Sequence, residues 1–155
     1  MPPNFSMQSI LDYHHSRVEV LEVELGKLIQ SQKEITALLE ELMDDQARLF
    51  QELKNFQTGD LDLQKIAQTR LNIKIVQENI EKQKALLALL EDAIEAKLLD
   101  LVEARQDEAV FDKLKEKEMD RFTEKQLAIE KILQDDIYIS SAHRRKSYGV
   151  EEEVI

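Results

Sequence analysis

Gln57-Thr58-Gly59-Asp60 is the one short break between two long helical patterns in the stretch from residue 5 to residue 142. Before it, apolar residues recur at alternating spacings of three and four. One set runs Leu11, Val18, Leu25, Gln32, Leu39, Gln46 and Leu53, and the other His14, Leu21, Leu28, Ile35, Leu42, Leu49 and Phe56. Eleven of these fourteen positions are apolar, which marks a coiled-coil seam. After the break the rhythm restarts with Ile66, Ile73, Ile80, Leu87, Ile94 and Leu101, interleaved with Thr69, Val76, Gln83, Leu90, Lys97 and Ala104. Two seams joined by a tight turn predict an all-α, antiparallel two-helix coiled-coil hairpin.

Two registers compete. In the first, Gln32 meets Gln83, Gln46 meets Thr69 and Leu25 meets Leu90, so polar seam residues face polar ones. Sliding the helices by one heptad pairs Gln46 with Val76 and Gln32 with Leu90. An unpaired buried amide costs roughly 1–3 kcal/mol, so the first register is the expected one. On it the turn centres between Gln57 and Thr58, helix 1 runs out opposite about Val110, and everything after Phe111 is an unpaired C-terminal helical overhang.

Composition agrees. Ala, Glu, Lys, Leu and Arg make up close to half of the 155 residues; there are three glycines, and the two prolines both lie at the extreme N-terminus. That balance fits long helices. Eight residues are Phe or Tyr and none is Trp, too little aromatic volume for a compact globular core, so one elongated domain is expected. There is no cysteine, hence no disulfide, thiolate metal site or thiol nucleophile. No apolar run approaches the roughly 18 residues of a membrane span, and Met-Pro-Pro-Asn lacks the features of a secretion signal. Cytosolic residence is the default expectation. A formal charge of −11 argues against a nucleic-acid partner, which needs a basic footprint. The charge is uneven. Residues 112–146 hold nine Lys or Arg against eight Asp or Glu, so the acidity lies in the hairpin body and in Glu151-Glu152-Glu153.

Along the chain, residues 1–5 read as a loop and Ser6 as an N-cap, with helix 1 over about 6–55. At ~1.5 Å per residue it makes a rod about 75 Å long. Residues 56–60 form the turn, Gly59 taking a left-handed conformation and Asp60 capping helix 2, which runs over about 61–140. The heptad frame fails between Ala104 and Phe111, where Arg105, Asp107 and Glu108 crowd the seam. A frame of Met119, Phe122, Gln126, Ile129 and Leu133 then begins, offset by four, which reads as a stutter. Residues 112–140 therefore read as a separate functional arm, and 141–155 as a frayed tail.

Apolar residues beyond the seam mark two candidate partner surfaces. Phe111, Leu114, Met119, Phe122, Ile129, Leu133 and Ile137 form a stripe on the overhang with no mate in helix 1, and such a stripe marks a binding surface. Near the turn, Met43 and Phe50 flank one seam while Leu61, Leu71 and Ile75 lie off the other. Signals for chemistry are poor. His14 sits on the seam and His15 beside it, so they do not converge as ligands. Asp44-Asp45 and Asp135-Asp136 diverge around their helices. Gln32, Gln83 and Lys97 read as register-setting seam polars. No phosphate loop, nucleophile elbow or metal motif is present. The chain reads as a non-enzyme without catalytic, cofactor or metal residues.

The chain ends carry a resemblance. Phe5-Ser-Met-Gln-Ser-Ile-Leu-Asp-Tyr-His-His, followed by Val20-Leu-Glu-Val-Glu-Leu, resembles the start of the flagellar export protein FliJ and its type III secretion relatives. Glu103-Ala-Arg-Gln, Phe111-Asp-Lys-Leu-Lys-Glu-Lys, Phe122, Glu130 and Asp135-Asp136 are similar to that family's C-terminal pattern. Length, two-helix layout and turn position agree. The resemblance implies a stalk, an antiparallel coiled coil like the shaft of rotary ATP synthases. Such a stalk engages the centre of the hexameric export ATPase ring, touches the export-gate membrane protein and interacts with export chaperones. It works at the cytoplasmic face of the inner membrane without inserting into it. On this resemblance the arm from Phe111 to Ile137, with the N-terminal end of helix 1 beside it, enters the ring as a monomer, and Phe50, Leu71 and Ile75 face the gate. One departure stands out: this hairpin body is acidic where the family's is more basic. The alternative is a self-associating scaffold or adaptor, in which the overhang stripe pairs with itself to make a dimer.

Overall fold

In a computed structural model the chain is described over residues 4–154, with side chains described through Lys146. Two helices account for the architecture, α1 (Gln8–Phe56) and α2 (Leu63–Val154). They pack against each other as an all-α helical hairpin. Contacts divide the chain into two compact units, one of Met1–His14 with Gln106–Ile155 and one of His15–Arg105.

The unit His15–Arg105 holds the turn and most of the seam. Every seam position expected within it is buried or half-buried, from Val18 to Phe56 on α1 and from Ile66 to Ala104 on α2. The three-and-four spacing thus defines the buried face, as it must for helices that present one stripe to a single partner.

The register is the one the sequence disfavoured. Val18, Leu21, Leu25, Leu101 and Ala104 form one buried cluster, with Ile94 packed against it. That grouping requires Leu21 level with Leu101 and Val18 level with Ala104, which is the one-heptad slide. Gln32 and Gln46 accordingly face Leu90 and Val76. The amide cost invoked against this register does not arise, because Gln32, Gln46 and Gln83 are only half-buried. A two-stranded seam is open on both flanks, so a long side chain lays its stem across the layer and keeps its amide in water.

Lys97 is handled in the same way. From its seam position it donates to Glu24 Oε2 at 2.7 Å, while Arg105 reaches Glu22 Oε1 at 2.9 Å. The Lys97 hydrogen bond, and then its charge, hold the Glu24 carboxyl below the ordinary carboxylate pKa. A lowered folded-state pKa means that the contribution of this pair is present above the unfolded value and lost as pH falls through the folded one. Lys97→Leu trades a half-buried ion pair for apolar burial opposite Leu25. The expected outcome in thermal unfolding at neutral pH is a melting temperature several degrees higher, with a shallower loss of stability on acidification.

The turn spans residues 57–62 and is longer than expected. Gly59 has φ of 88°, the left-handed conformation assigned to it, which a residue without Cβ adopts freely. Thr58 closes the end of α1, its N–H and its hydroxyl both donating to the Asn55 carbonyl, at 3.3 and 3.0 Å. The cap of α2 is Asp62 and not Asp60. Asp62 Oδ1 accepts from the backbone N–H of Gln64 at 3.1 Å and of Lys65 at 3.2 Å. Both aspartates suit an N-cap by type, and the heptad slide selects the later one.

Candidate partner-binding surfaces

The unit of Met1–His14 and Gln106–Ile155 carries the first expected surface. Its N-terminal segment folds onto α2. Phe5 is 7 % and Leu11 1 % exposed. The Ser6 hydroxyl donates to Glu118 Oε2 at 3.4 Å, so Ser6 is a tether to α2 and not the N-cap of α1, which starts at Gln8. The His14 ring stacks on Phe111 with centroids 4.9 Å apart and planes 19° from parallel. Tyr13 meets the same ring edge-on at 5.3 Å.

These contacts correct the start of the overhang. Phe111 packs against His14, and Leu114 lines a groove with Phe5 and Met7. The slide by one heptad carries the mated part of α2 past Phe111, so the early members of the expected unpaired stripe have partners after all. Nor does the burial rhythm stutter. Half-buried side chains at Glu108, Phe111, Lys115, Glu118 and Phe122 continue the spacing of three and four, Met119 lying beside them. Charged residues are tolerated in this seam because the side chains remain half in water.

Beyond Phe122 the character changes. Every described side chain from Thr123 to Lys146 is exposed, and α2 stays helical to Val154 where a frayed tail from 141 was expected. Ile129, Leu133 and Ile137 are 51 %, 55 % and 66 % exposed. Spaced at four, they share one face. Ile132 and Ile139 widen that face and are also exposed. They gave no signal in the sequence because the frame steps from Ile129 to Leu133 and passes over Ile132, while Ile139 lies two residues beyond Ile137, the last of the expected stripe. The free arm is therefore shorter than expected at its start and more apolar along its length.

His14 marks the one described side-chain atom that is buried without a hydrogen-bond partner, Nδ1. Removing a buried unsatisfied polar group gains roughly 1–3 kcal/mol, and losing an aromatic stack costs about 0.5–1.5 kcal/mol. His14→Leu also restores an apolar seam residue. The expected result, read by chemical denaturation, is a net stabilisation of about 1 kcal/mol.

The second surface lies in the unit His15–Arg105. Phe50, Leu71 and Ile75 are all about half exposed. Leu71 and Ile75 are one turn apart on α2, on the side away from the seam. Phe50 is level with them but flanks the α1 seam next to buried Leu49, so the three encircle the hairpin at one height instead of forming one patch. Leu61 and Leu63, both well exposed at the turn, add apolar surface. Leu63 gave no signal in the sequence because it immediately precedes the α2 periodicity. Phe56 at the end of α1 lies under the Lys65 ammonium, 5.7 Å from its ring centre.

No helix among the described residues is long and apolar enough to cross a membrane. The fold and its exposed faces thus define an all-α helical hairpin with a bare apolar arm. The sequence matches the family described as Flagellar FliJ protein over residues 3–147, nearly the whole chain, and the protein belongs to that family. It is a FliJ-type component of the flagellar export apparatus. No curated protein and no solved structure matches the chain.

Proposed function

We propose that this protein is the stalk of a flagellar or type III export machine, placing its C-terminal arm in the central opening of the hexameric export ATPase and raising the rate of hydrolysis. The observation that carries this reading is the stretch of α2 after Phe122, helical and exposed at every described side chain, with Ile129, Ile132, Leu133 and Ile137 on one face. Exposed apolar surface of this extent on a helix calls for a partner. A single arm in a six-fold opening touches the six subunits unequally, so it biases their closure without contributing an active site. Phe50, Leu71 and Ile75 supply the contact to the export-gate membrane protein, and export chaperones bind the assembled stalk. The protein then acts as a monomer on the cytoplasmic side of the inner membrane.

The test is a hydrolysis assay of the cognate export ATPase with and without the chain, paired with size-exclusion co-elution. The expected result is a faster rate and a shared elution peak. An unchanged rate with separate peaks contradicts it. A stable dimer of the chain alone, by light scattering, supports the scaffold in which the arm pairs with itself.

A further inference from the structure

The N-terminal segment does more than lengthen the seam. Where it folds back on α2, Phe5, Ser6 and Met7 on one side and Leu114, Lys117, Glu118 and Arg121 on the other enclose a groove of about 250 Å³. Drug-sized ligand pockets run from about 300 to 1,000 Å³, so this one suits a single side chain and not a cofactor. Its floor is apolar. Phe5 forms a buried wall, while Met7 and Leu114 each leave about two fifths of their surface in water.

The rim is cationic. Lys117 and Arg121 stand one helical turn apart on α2, on one face. Neither takes part in an ion pair among the described residues. Glu118 lies between them in sequence, and its Oε2 already accepts the Ser6 hydroxyl. Two cations without an ion pair flank that single carboxylate, so the mouth of the apolar groove is net positive.

From this juxtaposition we propose that the groove is a docking site for a short acidic–apolar peptide segment of a partner protein. One apolar side chain, aromatic or leucine-sized, enters between Phe5, Met7 and Leu114. Carboxylates flanking it in the partner meet Lys117 and Arg121, the guanidinium offering the paired geometry that carboxylates favour. A polyanion such as nucleic acid does not fit, because the floor has no donors for phosphate and the hairpin body repels it. Leu114 belongs to the stripe expected to face the ring, but peptide binding to the groove is read without the ATPase, so its failure and the failure of ring insertion are distinguishable.

The experiment uses the full chain and a fluorescein-labelled pentapeptide with one Phe between two pairs of Asp, followed by fluorescence anisotropy at low and moderate salt. The expected result is saturable binding that weakens with salt and falls by roughly tenfold or more in the double variant Lys117→Glu/Arg121→Glu. The same peptide with Ser in place of Phe binds correspondingly weakly. Circular dichroism of the double variant is expected to match the parent, since both side chains are exposed. Leu114→Ser provides an independent arm that weakens binding without altering rim charge. Equal binding by parent and double variant, equal binding of the Ser peptide, or no saturation overturns the proposal.

Discussion

Replacing Leu101 with alanine is expected to destabilise the unit His15–Arg105 by roughly 2–5 kcal/mol, the range for truncating a well-packed leucine. Leu101 is 4 % exposed and shares its cluster with Val18, Leu21, Leu25 and Ala104. Its neighbour on the seam is already an alanine, so two adjacent layers would lack volume and the helices have little with which to fill the gap. The unit has no second layer to share the loss. Urea unfolding followed by circular dichroism at 222 nm reads the change. The contrasting substitution is Leu99→Ala, two residues away on the outer face of α2 and strongly exposed, for which the expected change is within about 0.5 kcal/mol. Similar losses at both positions would show that the two helices are not mated along this face.

The second large effect concerns the arm. Ile129→Ser, Leu133→Ser and Ile137→Ser together are expected to abolish stimulation of the export ATPase at concentrations where the parent saturates it. Burying an exposed side chain of this size contributes about 1.5–3 kcal/mol, so removing three lowers affinity by roughly a thousandfold or more. All three side chains are exposed, and unfolding of the rest of the chain should be unchanged. Titration of the ring's hydrolysis rate with parent and triple variant checks this. Matching titration curves would remove the arm from the mechanism, whatever the role of the hairpin.

The sequence made the seam legible almost residue by residue, because a helix with one partner must repeat its apolar positions at the pitch of the partner's groove. The register was not legible. Polar seam residues such as Gln32 and Gln46 look decisive when treated as buried, yet in a two-stranded seam they are half in water and the energetic contrast between registers collapses. What separates the registers is the volume match of Val18, Leu21 and Leu25 against Leu101 and Ala104, which composition alone does not reveal. The misplaced register carried other errors with it. It set the α2 cap at Asp60 instead of Asp62, left Phe111 without its His14 partner, and hid Phe5, which has no place to pack until α2 is slid past it. The arm was visible in outline because its apolar spacing has no counterpart on α1. Its true start at Phe122 depends on the same slide. The family was legible from the chain ends, where Phe5 to His15 and Phe111 to Lys117 carry recognisable motifs on either side of an otherwise degenerate coiled coil.

The central claim is that the chain reverses once, around Gly59, and mates in the register that sets Leu21 against Leu101. Because the sequence contains no cysteine, two engineered thiols report on it without background. Leu21→Cys with Leu101→Cys should oxidise to an intramolecular disulfide, since a bridge forms only where Cα atoms lie within about 4.4–6.8 Å. Leu21→Cys with Ile94→Cys, the pair matched in the alternative register, should remain reduced under the same mild oxidant, as read by thiol counting and non-reducing gel mobility. Rapid bridging of the second pair and not the first would contradict the register, and bridging of neither would contradict the hairpin itself.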